Sequence, residues 1–161
     1  MKLDIDTQDW GESELQVSED LSFDMGEGRP QTAKVEGLLK VENLENRFHL
    51  KGKVKATGDA QCGRCLETFS YSWKAPVEII VLRNVDRQDE QGDTVVLHQE
   101  HGLVDLDEAI AECVTLAFPL TTICMENCKG LCPTCGIDLN KQSCDCTEDD
   151  VDPRWAALDN L

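Results

Sequence analysis

Aromatic side chains make up only 5% of this 161-residue chain, with one tyrosine, and histidines number three. So few histidines leave little for general acid–base work, and no nucleophile–base pair or phosphate-cradling loop can be assembled from the sequence; catalysis is not expected. Basic residues are scarce too: 15 Lys and Arg stand against 32 Asp and Glu, a formal net charge of −17. That charge repels phosphate backbones at long range, which argues against free-standing, non-specific nucleic-acid binding and suits a basic protein partner. Long apolar runs are missing as well. The longest, Val77 and then Ile79 to Leu82 broken by Glu78, is far short of the roughly twenty residues a membrane-spanning helix needs. MKLDIDTQDWGESEL at the start has neither a basic n-region nor an apolar h-region, so a secretory signal is not expected there.

Cysteine is abundant: nine residues, six of them between Cys124 and Cys146 in CMENCKGLCPTCGIDLNKQSCDC. Cys132-Pro133-Thr134-Cys135-Gly136 has the form of a metal knuckle, two sulfurs two residues apart with Gly130 before and Gly136 after to let the backbone approach and turn. Eight residues that include the turn-formers Asp138 and Asn140 then lead to Cys144 and Cys146. Cys132, Cys135, Cys144 and Cys146 together would close a tetrahedral, structural zinc site with no position left for water, Cys128 being the substitute for Cys144. A second C-x-x-C, Cys62-Gly63-Arg64-Cys65, either forms half of another site with Cys124 and Cys128 or packs as two small apolar residues. Cys113 remains as a core residue on a helix. Disulfides and a redox dithiol are the rival readings, but an odd number of cysteines without an export signal belongs in a reducing cytoplasm, and a redox C-x-x-C normally stands apart from other cysteines.

Three motifs in order, Cys62 to Glu67 as C-x-R-C-L-E, the Cys124 to Cys146 stretch, and Asp152-Pro153-Arg154-Trp155-Ala156-Ala157-Leu158, resemble the YceD family, the large ribosomal RNA subunit accumulation proteins of bacteria and plastids. The resemblance covers roughly residues 60 to 161. It implies a non-enzymatic cytoplasmic role in accumulation of 23S ribosomal RNA and biogenesis of the large ribosomal subunit. The partner would be a component of that subunit, a basic ribosomal protein or a pre-ribosomal particle, with ribosomal RNA contact as a further option and no membrane. The competing class is a cytoplasmic thiol redox or zinc-buffering protein.

The expected fold class is α+β: an antiparallel β-meander or partly closed barrel with one capped helix, a small C-terminal cysteine-rich, zinc-ribbon-like segment and a short terminal helix. Residues 1–30, with nine acids against Lys2 and Arg29, read as an acidic N-terminal segment in which Leu3 and Ile5 make an edge strand. Residues 31–122 read as the β-rich core domain, 123–150 as the zinc-binding segment and 151–161 as a docking helix opened by Asp152-Pro153. Strand patterning recurs around Val35 to Val41, Phe48 to Ala56 and Thr68 to Leu82, with turns near Asn43 to Asn46 and Thr57 to Asp59, and a short strand at Thr94 to Leu97. Between Gln31 and Arg83 the balance is basic, nine Lys and Arg minus six Asp and Glu giving +3. Lys51, Lys53 and Lys55 recur at period two on one strand face, either as an edge-protecting solvated row or as a phosphate contact. His98 and His101 are read as surface residues. Asp105 and Glu108 resemble a capping box for a helix bearing Leu106, Ile110, Cys113 and Ala117 on one stripe and ending before Pro119.

Overall fold

A computed structural model describes residues 1–8, 10–24, 30–44, 46–83 and 95–146. The strands are β1 (Lys2–Asp4), β2 (Gly11–Asp24), β3 (Pro30–Asn43), β4 (Arg47–Gln61), β5 (Thr68–Leu82), β6 (Val95–His98) and β7 (Leu103–Asp105), followed by the helix α1 (Asp107–Leu116). β2 to β6 form one sheet in sequence order, and β1 pairs with β7 in a second, two-stranded sheet. Among the described residues the larger sheet is open, with β2 and β6 at its ends, so the expected closure towards a barrel is not seen.

The chain divides into two compact units, one of Met1–Ala60 with Ser70–Leu120, the other of Gln61–Phe69 with the described residues from Thr121 on. Residues 1–24 lie within the first unit: Leu3 and Ile5 are buried from β1 and just after it, and Val17, Leu21 and Phe23 from β2. The terminal helix expected at 151–161 and the acidic run from Thr147 to Asp152 fall outside the described residues.

Period-two patterning explains the sheet. Val35, Leu39 and Val41 of β3, Phe48, Leu50, Val54 and Ala56 of β4, and Trp73, Ala75, Val77, Ile79 and Val81 of β5 are buried, while the residues between them mostly face outward. Each large apolar side chain so buried contributes about 1.5–3 kcal/mol. Trp73 carries its polar edge inside by donating Nε1–H to the Val114 carbonyl at 3.0 Å, and its ring meets Phe118 edge-on at 4.9 Å. α1 contributes Ala109, Ile110 and Val114 to this core, with Leu106 just before it. Cys113 and Ala117 pack against it partly buried.

Further expectations need correction. The sheet is not antiparallel throughout: β6 pairs parallel to β5, Ile79 opposite Val95 and Leu82 opposite His98. The chain between Leu82 and Val95 is of the dozen-residue length that a parallel return requires. No turn forms at Thr57 to Asp59, because β4 continues to Gln61 and pairs Thr57 with Lys34 and Gly58 with Ala33. Long-range pairing here overrides local turn propensity. The capping box is absent in the expected form: Leu106 is the N-cap and makes no side-chain cap bond. Asp105 instead accepts the Asp107 N–H at 3.1 Å.

β4 lies between β3 and β5, so the row Lys51, Lys53 and Lys55 protects no sheet edge. All three are exposed, and they stand opposite Lys40, Leu38 and Glu36 of β3. Lys51 approaches Glu78 at 3.5 Å, while Lys34 pairs with Glu36 at 2.7 Å and Lys40 with Glu12 at 2.6 Å. The row therefore belongs to a mixed-charge face. His98 and His101 are exposed, as expected.

Candidate metal centres

All the cysteines apart from Cys113 gather in the second unit as two groups of four, Cys62, Cys65, Cys124 and Cys128, and Cys132, Cys135, Cys144 and Cys146. Within each group the sulfurs all lie within 4.8 Å of one another. In the first group, Cys62 Sγ and Cys128 Sγ are 3.9 Å apart and Cys65 Sγ and Cys124 Sγ 3.7 Å. A tetrahedron with metal–sulfur bonds of about 2.3 Å has edges of about 3.8 Å, whereas a disulfide holds its sulfurs at about 2 Å. The spacing is that of four ligands around one ion, and all nine cysteines are free thiols.

Local chemistry brings the first group together. Cys62 and Cys65 sit in the loop between β4 and β5, closed by the Leu66 N–H donating to the Cys62 carbonyl at 2.9 Å. The distant segment is laid beside it by Gly63 N–H to the Thr122 carbonyl at 2.8 Å and by the Thr122 hydroxyl to the Gln61 carbonyl at 2.7 Å. Cys124 N–H then points at Cys62 Sγ, 3.4 Å away. Arg64 donates from Nη1 to the Cys128 carbonyl at 3.0 Å, and Phe69 covers the cluster.

The second group is built the same way on a shorter stretch. Gly136 N–H donates to the Cys132 carbonyl at 2.9 Å, Cys132 N–H to the Ile137 carbonyl at 2.9 Å, and Leu131 bridges to Asp138. The two knuckles have the same closing bond but different residues at the position after the second cysteine. Gly136 adopts a φ of 73° there, and in the first knuckle Leu66 does so at 59°. A left-handed backbone costs a non-glycine residue roughly 1–2 kcal/mol, so Leu66 is held against its own preference.

Each group contains one thiol poised to ionise. Backbone N–H groups of Cys65 and Cys124 lower the Cys62 thiol to about 6, and those of Cys135 and Thr134 lower Cys132 to about 6. Burial and the neighbouring thiols push Cys124 up to about 12. The hydrogen bond with the Cys135 thiol, together with burial, pushes Cys146 up to about 12 as well. Metal binding would displace the protons that the other sulfurs hold.

The structure thus gathers Cys132, Cys135, Cys144 and Cys146, the set chosen from spacing, and assigns Cys128 to the other group instead of exchanging it for Cys144. Cys113, on α1, belongs to neither. Asn140 is missed as more than a turn residue: its side chain donates to Cys128 Sγ at 3.4 Å. Only the fold reveals that bond, since Asn140 and Cys128 have no tell-tale spacing.

Fold and clusters define a β protein with a unit of two four-cysteine clusters. The family model described as large ribosomal RNA subunit accumulation protein YceD matches residues 50–161, and the chain belongs to that family. An uncharacterized protein of Mycobacterium tuberculosis is 30% identical over 125 residues, 74% of this chain and 58% of its own length. The Arabidopsis thaliana protein named large ribosomal RNA subunit accumulation protein YCED homolog 1, chloroplastic, is 28% identical over 91% of this chain and 53% of its own. An uncharacterized protein of Mycobacterium leprae is 27% identical over 76% and 57%. The chain therefore spans a little over half the length of the curated relatives it matches. No solved structure matches it. Among the described residues no helix is long and apolar enough to cross a membrane.

Proposed function

We propose that this chain is a non-enzymatic factor for accumulation of 23S ribosomal RNA and biogenesis of the large ribosomal subunit. It acts in the cytoplasm by binding a basic ribosomal protein or a pre-ribosomal particle, and its cysteine unit is held by two structural zinc ions. Membership of the accumulation-protein family is the observation that carries the functional reading. Tetrahedral four-sulfur sites suit zinc or iron–sulfur chemistry, and two pairs of knuckle-spaced cysteines with no open position suit structural zinc.

The acidity has a focus on the fold. An open groove of about 590 Å³ between β2 and α1 is lined by Asp20, Asp107, Glu108 and Glu112 around Leu21, Phe23 and Ala111. A basic segment would find both charge and apolar contact there. Phosphate would be repelled, and the lysine face, interleaved with Glu36, Glu42 and Glu78, offers it little compensation.

The test compares binding of bare large-subunit RNA with binding of pre-ribosomal particles and isolated basic ribosomal proteins. Removal of residues 1–30 would strip β1 and β2 from the sheets, so the acids are changed in place, as Asp20→Asn, Glu108→Gln and Glu112→Gln. Binding to the basic partner should weaken about tenfold or more with those changes and hardly at all with charge reversal at Lys51, Lys53 and Lys55. Tight binding to protein-free RNA, abolished by the lysine changes, would reverse the assignment. Exposure of Cys135 and Cys146 favours a second reading, a zinc-buffering or redox thiol protein. Retention of zinc through dialysis separates the two, because a buffer or dithiol switch would not keep it.

A further inference from the structure

We infer that Asn140 is a positioning residue that couples the two cysteine clusters, holding Cys128 of the first from the segment that folds around the second. The inference rests on the reading of both clusters as metal centres.

Asn140 lies in sequence between the knuckle of the second cluster, Cys132 and Cys135, and its second pair, Cys144 and Cys146. Its side chain nevertheless serves the first cluster. Nδ2 donates to Cys128 Sγ at 3.4 Å, and Oδ1 accepts the N–H of Lys129, the next residue, at 2.8 Å. The amide thus grips Cys128 from both sides of its peptide. Asn140 is fixed in turn by Asp138, whose Oδ1 accepts both the Asn140 N–H at 2.9 Å and Nδ2–H at 2.8 Å. Because Nδ2 faces two acceptors and Oδ1 faces a backbone donor, only one orientation of the amide satisfies all its partners.

Asp138 belongs to the second knuckle's turn, bridged to Leu131. The same turn ties back to the first knuckle by Leu131 N–H to the Arg64 carbonyl at 3.1 Å and by Lys141 Nζ to Glu67 at 3.1 Å. Among the described residues, Asn140 is the one side chain other than cysteine that donates a hydrogen bond to a sulfur of either cluster. A donor aimed at a ligand sulfur fixes its rotamer and delocalises thiolate charge, and losing such a partner typically lowers metal affinity about 10–100-fold. Ordering the second cluster therefore places the donor that the first cluster uses.

The experiment loads the full chain with cobalt(II), whose sulfur charge-transfer bands report the ligand field, and measures stoichiometry, release rate to a chelator and spectrum. Asn140→Ala removes both the donor and the acceptor; Asn140→Asp keeps the acceptor for Lys129 and removes the donor. We expect both variants to bind two equivalents, to release one of them about 10–100-fold faster than the parent, and to shift its charge-transfer band. In a Cys135→Ser, Cys146→Ser background the remaining site should already be weakened, and Asn140→Ala should add less there than it does in the parent. Parent-like behaviour of Asn140→Asp would reduce Asn140 to holding Lys129; parent-like Asn140→Ala would reduce any Asp effect to charge repulsion. Either result, or full additivity in the cysteine background, overturns the coupling while leaving the metal reading intact. A parent chain that binds no cobalt sinks the metal reading, and the coupling with it.

Discussion

The two units of this chain are held by different forces. In the sheet unit, β2 to β5 and α1 surround a continuous apolar core with Phe48, Leu50, Ile79, Leu106 and Ile110 almost wholly buried. In the cysteine unit the buried cluster is three cysteines, Cys62, Cys65 and Cys128, with Phe69 and Cys124 against it. Leu66, Ile123 and Met125, beside its cysteines, point outward, 54%, 42% and 48% exposed, and Leu131, Ile137 and Leu139 are only half-buried. A segment that buries so little cannot offset its own chain entropy. The difference teaches that burial orders one unit, while the other is left to the metal coordination proposed for its cysteines.

The sharpest way to break that comparison is to remove metal. Structural zinc contributes on the order of 10 kcal/mol or more to a small fold, so chelation should abolish hydrogen-exchange protection across residues 61–66 and 121–146 and spare β2 to β5. Uniform protection with and without chelator would contradict it.

Single ligand changes come next and should differ between the clusters. The first joins segments 59 and 66 residues apart in sequence, so Cys62→Ser should loosen both 61–66 and 121–128. Cys146→Ser, an exposed member of a cluster drawn from one short stretch, should disturb mainly 130–146. Peptide-resolved exchange distinguishes them, and matching profiles would erase the distinction.

The sheet unit supplies the converse. Phe48→Ala should cost about 3–5 kcal/mol in denaturant unfolding followed through Trp73, with metal content unchanged. Loss of metal from that variant would mean the units are not independently stabilised.

The smallest effect concerns the strained knuckle. Leu66→Gly should stabilise the metal-loaded cysteine unit by about 1 kcal/mol, since it relieves a left-handed leucine whose side chain is more than half exposed. A thermal melt that falls instead would show that the Leu66 side chain contributes more than its backbone costs.

How much of this could be read in advance follows from sequence distance. Cys132 and Cys135 with Cys144 and Cys146 lie on one short stretch where spacing limits geometry, and the structure gathers that set. Cys62 and Cys65 could be matched to Cys124 and Cys128 only as one of two options, because a loop of some sixty residues imposes no constraint on where its ends meet. Alternation marked β3, β4 and β5, since half-buried strands declare their period; the short strand expected at Thr94 to Leu97 forms as β6 (Val95–His98), but its parallel pairing depends on the path of a connection that alternation does not encode. Local rules failed where long-range pairing overruled them, at Thr57 to Asp59 within β4. Leu66 escaped notice because leucine does not advertise a positive φ, although placing Cys62 to Leu66 beside Cys132 to Gly136 would have shown it standing where the second knuckle has its glycine.

The most direct measurement is zinc stoichiometry of the purified full chain by native mass spectrometry. Two four-thiolate centres predict two zinc ions in the parent, one in Cys62→Ser and one in Cys146→Ser. A parent with one zinc or none, or a Cys62→Ser chain that keeps both, would contradict the account.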